Sequence, residues 1–416
     1  MSYKKVLGVA SAVLMIVIVL TLALAPAARA ADKYKALHAF HVTDGANPDA
    51  SLILDAAGNL YGTTYYGGAH RHGTVFKLAP SADGSWTESV LHSFNGSTHQ
   101  EGPTASLIFD AAGNLYGTTL EGGDLQCLSL GCGTVFKLTP NADGSWTESV
   151  LHTFHGGDGE LPRAGLIFDV AGSLYGTTQD GGTHKGGTVF KLTPNADGSW
   201  TETVLHSFNG SDGRVPLAGL IFDAAGDLYG TTAYGGNLSV CIRSGCGVVF
   251  KLAPNADGSW TESVLHEFNI RDGADPFAGV IFDAAGNLYG TTEGGGSQDS
   301  GTLFKLSPNA DGSWTESVLH EFINSDGRDP YAGLIFDGAG NLYGTASVAG
   351  SPNGGAVFKL SPHRDGSWEY ILLHVFEGRP AEDPVSGLVL GSAGTLYGTT
   401  LYCSSGCRGM VYQITP

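Results

Sequence analysis

The chain has 416 residues, with 21 basic and 40 acidic side chains and a formal net charge of −19. That balance repels phosphate backbones, and no basic stripe interrupts it, so nucleic acid is excluded as an expected partner. Glycine is abundant, at 63 residues, yet 42% of the chain is apolar and six tryptophans are spread along it, which excludes low-complexity disorder.

The first thirty residues read as a separate object. Lys4 and Lys5 form a positive start, 6–25 is apolar, and Ala28 and Ala30 place small residues where a signal peptidase reads. Cleavage after Ala30 is the expectation. The apolar run also approaches the length that spans a bilayer, which leaves retention as an N-terminal anchor as the alternative. With no cysteine at the junction, a lipoprotein is not expected. No second apolar run of spanning length follows, so no other membrane contact is expected. Removing the segment leaves a net charge of about −22 on a secreted or extracytoplasmic chain, residues 31–416.

The remainder is repetitive. A Leu-Tyr-Gly-Thr core recurs seven times, at Tyr61, Tyr116, Tyr175, Tyr229, Tyr289, Tyr343 and Tyr397, at intervals of about 54 to 60 residues. In the specimen repeat, AGLIF at 218–222 is a short apolar run and DAAG at 223–226 a tight turn. LYGTT at 228–232 and GVVFKL at 247–252 read as two further strands. After the turn PNADG at 254–258 comes WTESVLHEF at 260–268, the longest and most strictly alternating run. Strand-sized runs bounded by Gly, Asp, Asn and Pro, with no helical period, argue for an all-β meander. Four strands in each of seven repeats predict a seven-bladed β-propeller, with an open β-solenoid as the alternative.

The ends predict closure. The opening YKALHAF at 34–40 matches only the fourth strand of the repeat, and MVYQIT at 410–415 matches only the third. The last blade would therefore take its outer strand from the N-terminal end.

Two kinds of connection alternate. The DAAG and NADGSW turns are nearly identical from repeat to repeat and read as scaffold. The second-to-third and blade-to-blade loops differ, and divergent loops on a rigid scaffold are where ligands bind. Candidate ligand residues on that face are Tyr65, Tyr66, His70, Arg71, His72, Glu121, Asp180, His184, Tyr234, Arg243, Glu293 and Tyr402. Tyr65, Tyr66, Tyr234 and Tyr402 would suit a sugar ring. The acidic residues leave room for a catalytic carboxylate pair near the central channel.

Six cysteines fall in three close pairs, Cys127 with Cys132, Cys241 with Cys246 and Cys403 with Cys407, all in second-to-third loops. In an exported chain they read as local disulfides. A metal site is not expected from them, because no histidine lies near in sequence. His38, His92, His152, His206, His266, His320 and His374 share one repeat position, Leu-His-x-Phe. A residue required in every blade reads as structural, and so do the repeated tyrosines and tryptophans.

The NADGSW turn differs in spacing from the Asp-box of sialidases. No P-loop and no Gly-x-Ser-x-Gly elbow is present, and no cofactor is expected.

The frame GNLYGTT-x-x-GG-x(n)-GTVFKL-x-P stands at 58–80, 113–140, 172–194, 226–254, 286–308 and 340–362, and in degraded form at 394–416. It resembles the GloVer tandem repeat of exported bacterial "choice-of-anchor" proteins. The resemblance implies an extracellular or envelope-associated repeat protein and carries no established activity or catalytic residue. No sorting motif or hydrophobic tail follows the last strand, so C-terminal anchoring is not expected. The reading is an exported, monomeric module that binds a glycan or a protein through its divergent face. The alternative is a secreted carbohydrate-active hydrolase or lyase that uses acidic residues near the channel.

Overall fold

Seven antiparallel sheets of four strands each build the molecule. The structure is a computed structural model that describes residues 33–96, 102–125, 127, 130–241, 244–349, 354–376, 383–403 and 406–416. The expected signal segment lies outside the described residues. In the specimen blade the order from the axis outward is Ile221–Phe222, Leu228–Thr232, Val248–Pro254 and Trp260–Glu267, each strand pairing with the next. The all-β propeller and its repeat are thus as the sequence predicts.

Closure follows the predicted route. Lys33–Ala39 pairs antiparallel with Met410–Thr415 and completes the sheet begun by Val389–Leu390 and Leu396–Thr400. A meander closed this way has no end strand to fray independently.

The second strand is buried throughout in six blades, because neighbouring blades cover both of its faces. Its central glycine is a packing requirement. A Cβ on Gly230 would come within 2.7 Å of Phe250 Cζ and 3.0 Å of Leu220 Cδ2. The tyrosine before it donates to the aspartate of the DAAG turn, as Tyr229 does to Asp223 at 3.1 Å. The lysine of the third strand lies over the same ring, Lys251 Nζ being 5.5 Å from its centroid.

Aromatic edges join the blades through their tyrosines and phenylalanines. Tyr229 meets Phe282 and Trp314 of the next blade edge-on, at 5.0 and 6.3 Å. Tyr397 and Trp86 make the equivalent contact across the closure seam, at 5.8 Å. The large apolar clusters accordingly draw on two adjacent blades, as where Tyr61, Val75 and Phe94 pack on Leu107, Leu115 and Phe136.

Hydroxyls stitch the ring nearer its axis. The first threonine of each Gly-Thr-Thr or Gly-Thr-Ala donates to a backbone carbonyl of the following blade, as Thr231 does to Ala278 at 2.8 Å. At the seam, Thr399 donates to Pro48 at 3.0 Å.

The inner strand is shorter than its apolar run suggests. Residues 218–220 are not laddered, and only Ile221–Phe222 pairs, because the preceding segment bends across the mouth of the channel. All three cysteine pairs form disulfides within their loops, with Cα separations of 5.0, 5.3 and 5.6 Å. Such bonds fit an extracytoplasmic protein.

Candidate functional site

Each inner strand is entered through a proline followed by one variable residue, then Ala or Ser, then Gly or Ser. The residue before each proline is in the left-handed region, including Leu161 at φ 59°, Val215 at 59°, Asp275 at 57° and Asp329 at 55°. Asp and Asn accept that conformation readily, whereas branched side chains are held there at a cost of about 1–2 kcal/mol. The conformation is held from two sides. Val215 N donates to Gly186 O of the preceding blade at 2.8 Å, and Val215 O accepts from Ala233 N of its own blade at 3.0 Å.

This kink turns the chain so that the variable residue after the proline lines the channel mouth. The seven are Asp49, Thr104, Arg163, Leu217, Phe277, Tyr331 and Val385, surrounding a cavity of about 350 Å³. Taken around the ring they divide into two arcs. Blades one to three contribute Asp49, Thr104 and Arg163, a polar arc in which Arg163 Nη2 lies 3.9 Å from Asp49 Oδ2. Blades four to seven contribute Leu217, Phe277, Tyr331 and Val385, an apolar and aromatic arc.

The aromatic arc is ordered. Phe277 and Tyr331 lie parallel, with centroids 5.2 Å apart and planes 1° from coincident. Tyr234 meets Phe277 edge-on at 6.4 Å and carries Arg214 5.7 Å from its own centroid. Tyr331 Oη donates to Glu293 Oε1 at 2.9 Å, while the ring remains 39% exposed.

Carboxyls gather beside these rings. Burial, reinforced by Glu293 and Asp299, pushes Asp275 up to about 6. Burial raises Glu293 too, against the hydrogen bond from Tyr331. Asp329 is raised by burial and partly offset by Arg328, whose Nε is 3.7 Å away. On the polar arc, burial raises Asp49 against the pull of Arg163. Tyr65 is raised by burial and then by Glu121, which is itself raised by burial. Among the described residues, no three His, Cys, Asp or Glu ligand atoms converge at this mouth.

Of the residues singled out by sequence, Tyr65, Glu121, Tyr234 and Glu293 stand at or beside the mouth, through the contacts just given. Tyr66 packs on Tyr65 at 4.2 Å and is exposed, and Tyr402 is also exposed. Asp180 accepts from Gln179 Nε2 at 3.0 Å and bridges to Glu160 through the backbone.

His70, Arg71, His72 and His184 belong to the outer course of the loops. His184 contacts Thr183, whose hydroxyl bonds Ser207 on an outer strand. His70 and Arg71 are exposed, His72 faces Gly96 at the end of an outer strand, and Arg243 lies outside the described residues. Sequence reasoning passed over Arg163, Phe277 and Tyr331. Their signal is wide chemical variation at the one position after the proline, where the two residues that follow are small in every repeat.

These features define a disulfide-pinned seven-bladed β-propeller with unlike residues from all seven repeats gathered at one channel mouth. The chain belongs to the Gloeobacter/Verrucomicrobia repeat family, whose model matches residues 24–128, 125–310 and 241–416. No curated protein matches it.

Among solved structures it is similar to a polysaccharide lyase of family PL25, an ulvan lyase bound to -[GlcA(1-4)Rha3S]-. That likeness has 10% identity and a TM-score of 0.58, and covers 91% of this chain and 95% of the lyase. It is also similar to PorZ, a bacterial surface component of the type-IX secretion system of Porphyromonas gingivalis. There the identity is 16% and the TM-score 0.51, over 90% of this chain and 48% of PorZ, so the chain spans about half of that protein. At these identities the likeness is one of fold.

Proposed function

We propose that this protein is an exported binding module that holds a neutral glycan chain across the channel mouth. The observation that carries the reading is the parallel Phe277–Tyr331 pair, open to solvent beside the Glu293 carboxylate. Aromatic faces receive the C–H face of a sugar ring, and carboxylates beside them accept its hydroxyls. The carboxyls of Asp275, Glu293, Asp299 and Asp329 cluster on this side of the mouth, and a chain of net charge −19 adds to their field. That field disfavours uronate or sulfate groups. Export through the segment 1–30 belongs to the same proposal.

A second reading is hydrolysis or elimination at the same mouth. It is favoured by Asp275, whose carboxyl is held near 6 and can hold a proton close to neutral pH.

Co-sedimentation of the purified protein with insoluble neutral polysaccharides, combined with a reducing-sugar assay, tests both. Retention without release supports the module. Release that disappears in Asp275→Asn replaces it with the enzyme, and neither retention nor release on any polysaccharide removes both.

A further inference from the structure

The histidine of each Leu-His-x-Phe sits at a junction between blades, where the outer strand of the next blade places one residue of its opening turn of pleat against it. That residue is Glu88, Glu148, Glu202, Glu262 or Glu316 at five junctions and Tyr370 or Tyr34 at the other two. The tyrosines stack flat on the histidine, Tyr370 on His320 at 4.0 Å and Tyr34 on His374 at 4.4 Å. The glutamates cannot do this and bring a second carboxyl instead. At the junctions of His152, His206 and His320, the histidine Nε2 is hydrogen-bonded to the following aspartate, at 3.0 to 3.1 Å.

At the closure seam and at the His266 junction, by contrast, the histidine Nε2 and the facing glutamate's Oε1 both lack a hydrogen-bond partner. His38, on the outer strand Lys33–Ala39, has its Nε2 3.2 Å from Asp44 Oδ2 yet makes no hydrogen bond. Glu88, on Trp86–Ser93 of the first blade, has a buried Oε1 with no partner. One ligand atom each from His38, Asp44 and Glu88 lies within 4.8 Å of the others.

Two carboxylates and an imidazole, with two of their atoms unpartnered, form a ligand set for a borderline cation such as Zn²⁺. Metal–ligand bonds of about 2.0–2.1 Å in a tetrahedron place neighbouring ligand atoms roughly 3.3 Å apart, close to the observed His38–Asp44 spacing. Asp44 Oδ1 is already fixed by the His41 N–H at 2.7 Å, which leaves Oδ2 directed at the site.

We propose that His38, Asp44 and Glu88 bind a divalent transition cation of the zinc type, which clamps the N-terminal strand to the first blade at the seam that closes the ring. The fourth position is open to water. The junction of His266 has the same three residue types, with Asp272 and Glu316, but there Asp272 Oδ2 accepts from the Asn269 side chain. Among the described residues only the seam brings three ligand atoms together, so the seam is the preferred site.

The test is calorimetric titration of untagged, EDTA-stripped full chain with ZnCl₂, for the native protein and for Glu88→Gln and Asp44→Asn. Unfolding in EDTA serves as the folding control, and the amide oxygen introduced by Asp44→Asn can still accept the His41 N–H. About one equivalent of Zn²⁺ should bind and raise the melting temperature, with affinity falling at least tenfold in each variant. No saturable binding overturns the proposal. So does binding that both folded variants retain, or that Glu202→Gln, Glu262→Gln or Glu316→Gln removes in place of Glu88→Gln.

Discussion

Replacing Glu202 and Glu262 together by glutamine should flatten the decline in stability between pH 5 and pH 8. Both carboxyls are turned toward the preceding blade, Glu202 near Asp158, and Glu262 near His206 and Asp212. Burial pushes each up to about 7 from an ordinary 4.5. A folded-state pKa above the unfolded one means that the native protein holds these protons more tightly. Below about pH 4.5 both states are protonated and nothing is lost. As pH rises toward 7 and beyond, ionisation penalises only the folded state, so stability falls.

The interval from 4.5 to about 7 corresponds to roughly 3 kcal/mol per carboxyl. Both groups are about half exposed, and solvent screening reduces this to about 1–2 kcal/mol each. For a domain of this size, about 2–4 kcal/mol is a shift of roughly 3–5 °C. Thermal unfolding at pH 5 and pH 8 should therefore show the native protein losing that much more than the double variant. Glutamine keeps the shape and removes the titration. An equal loss in both proteins would refute the reasoning, because it would mean that the two carboxyls ionise freely in the folded state.

Thr231→Val keeps the side-chain shape and deletes the buried hydroxyl bonded to Ala278 O, and should cost about 1–2 kcal/mol in urea unfolding. Gly230→Ala drives a methyl into Phe250 and Leu220 and should cost about 1–3 kcal/mol by the same measurement. Tyr331→Phe removes the donor that holds Glu293 down against burial. The carboxyl of Glu293, followed by carbon-13 NMR titration, should then titrate at higher pH than in the native protein.

The fold was legible because each local rule repeats around the ring and the copies agree in six blades, the seventh being degraded but still recognisable. Strand identity, the scaffold turns, the three loop disulfides and the seam between 34–40 and 410–415 all follow from the residues. The site was only partly legible. Tyr65, Glu121, Tyr234 and Glu293 sit in divergent loops, where the contrast between repeats points to them.

Phe277 and Tyr331 sit in what reads as the start of a strand. Their exposure at the mouth depends on the left-handed residue two positions earlier. No glycine marks that kink at Leu161, Val215, Asp275 or Asp329, because it is held between two long-range hydrogen bonds, one to the preceding blade and one from the residue's own blade. The histidines show a related limit. Repetition identifies them as structural, but whether each meets a tyrosine, a satisfied aspartate or an unpartnered glutamate is decided across an interface.

The central claim is that the aromatic arc of the channel mouth holds a sugar chain. It is tested most directly by calorimetric titration of the native protein and of Phe277→Ala/Tyr331→Ala with soluble neutral oligosaccharides and their uronate counterparts. Both rings are partly exposed at the mouth, so the double variant should unfold within about 1 kcal/mol of the native protein. The account predicts binding of a neutral oligosaccharide in preference to its anionic counterpart, weakened at least about thirtyfold in the double variant, the loss of roughly 2 kcal/mol expected of a central aromatic anchor. Equal affinity of the native protein and the folded double variant, or tighter binding of the uronate chain, would contradict it.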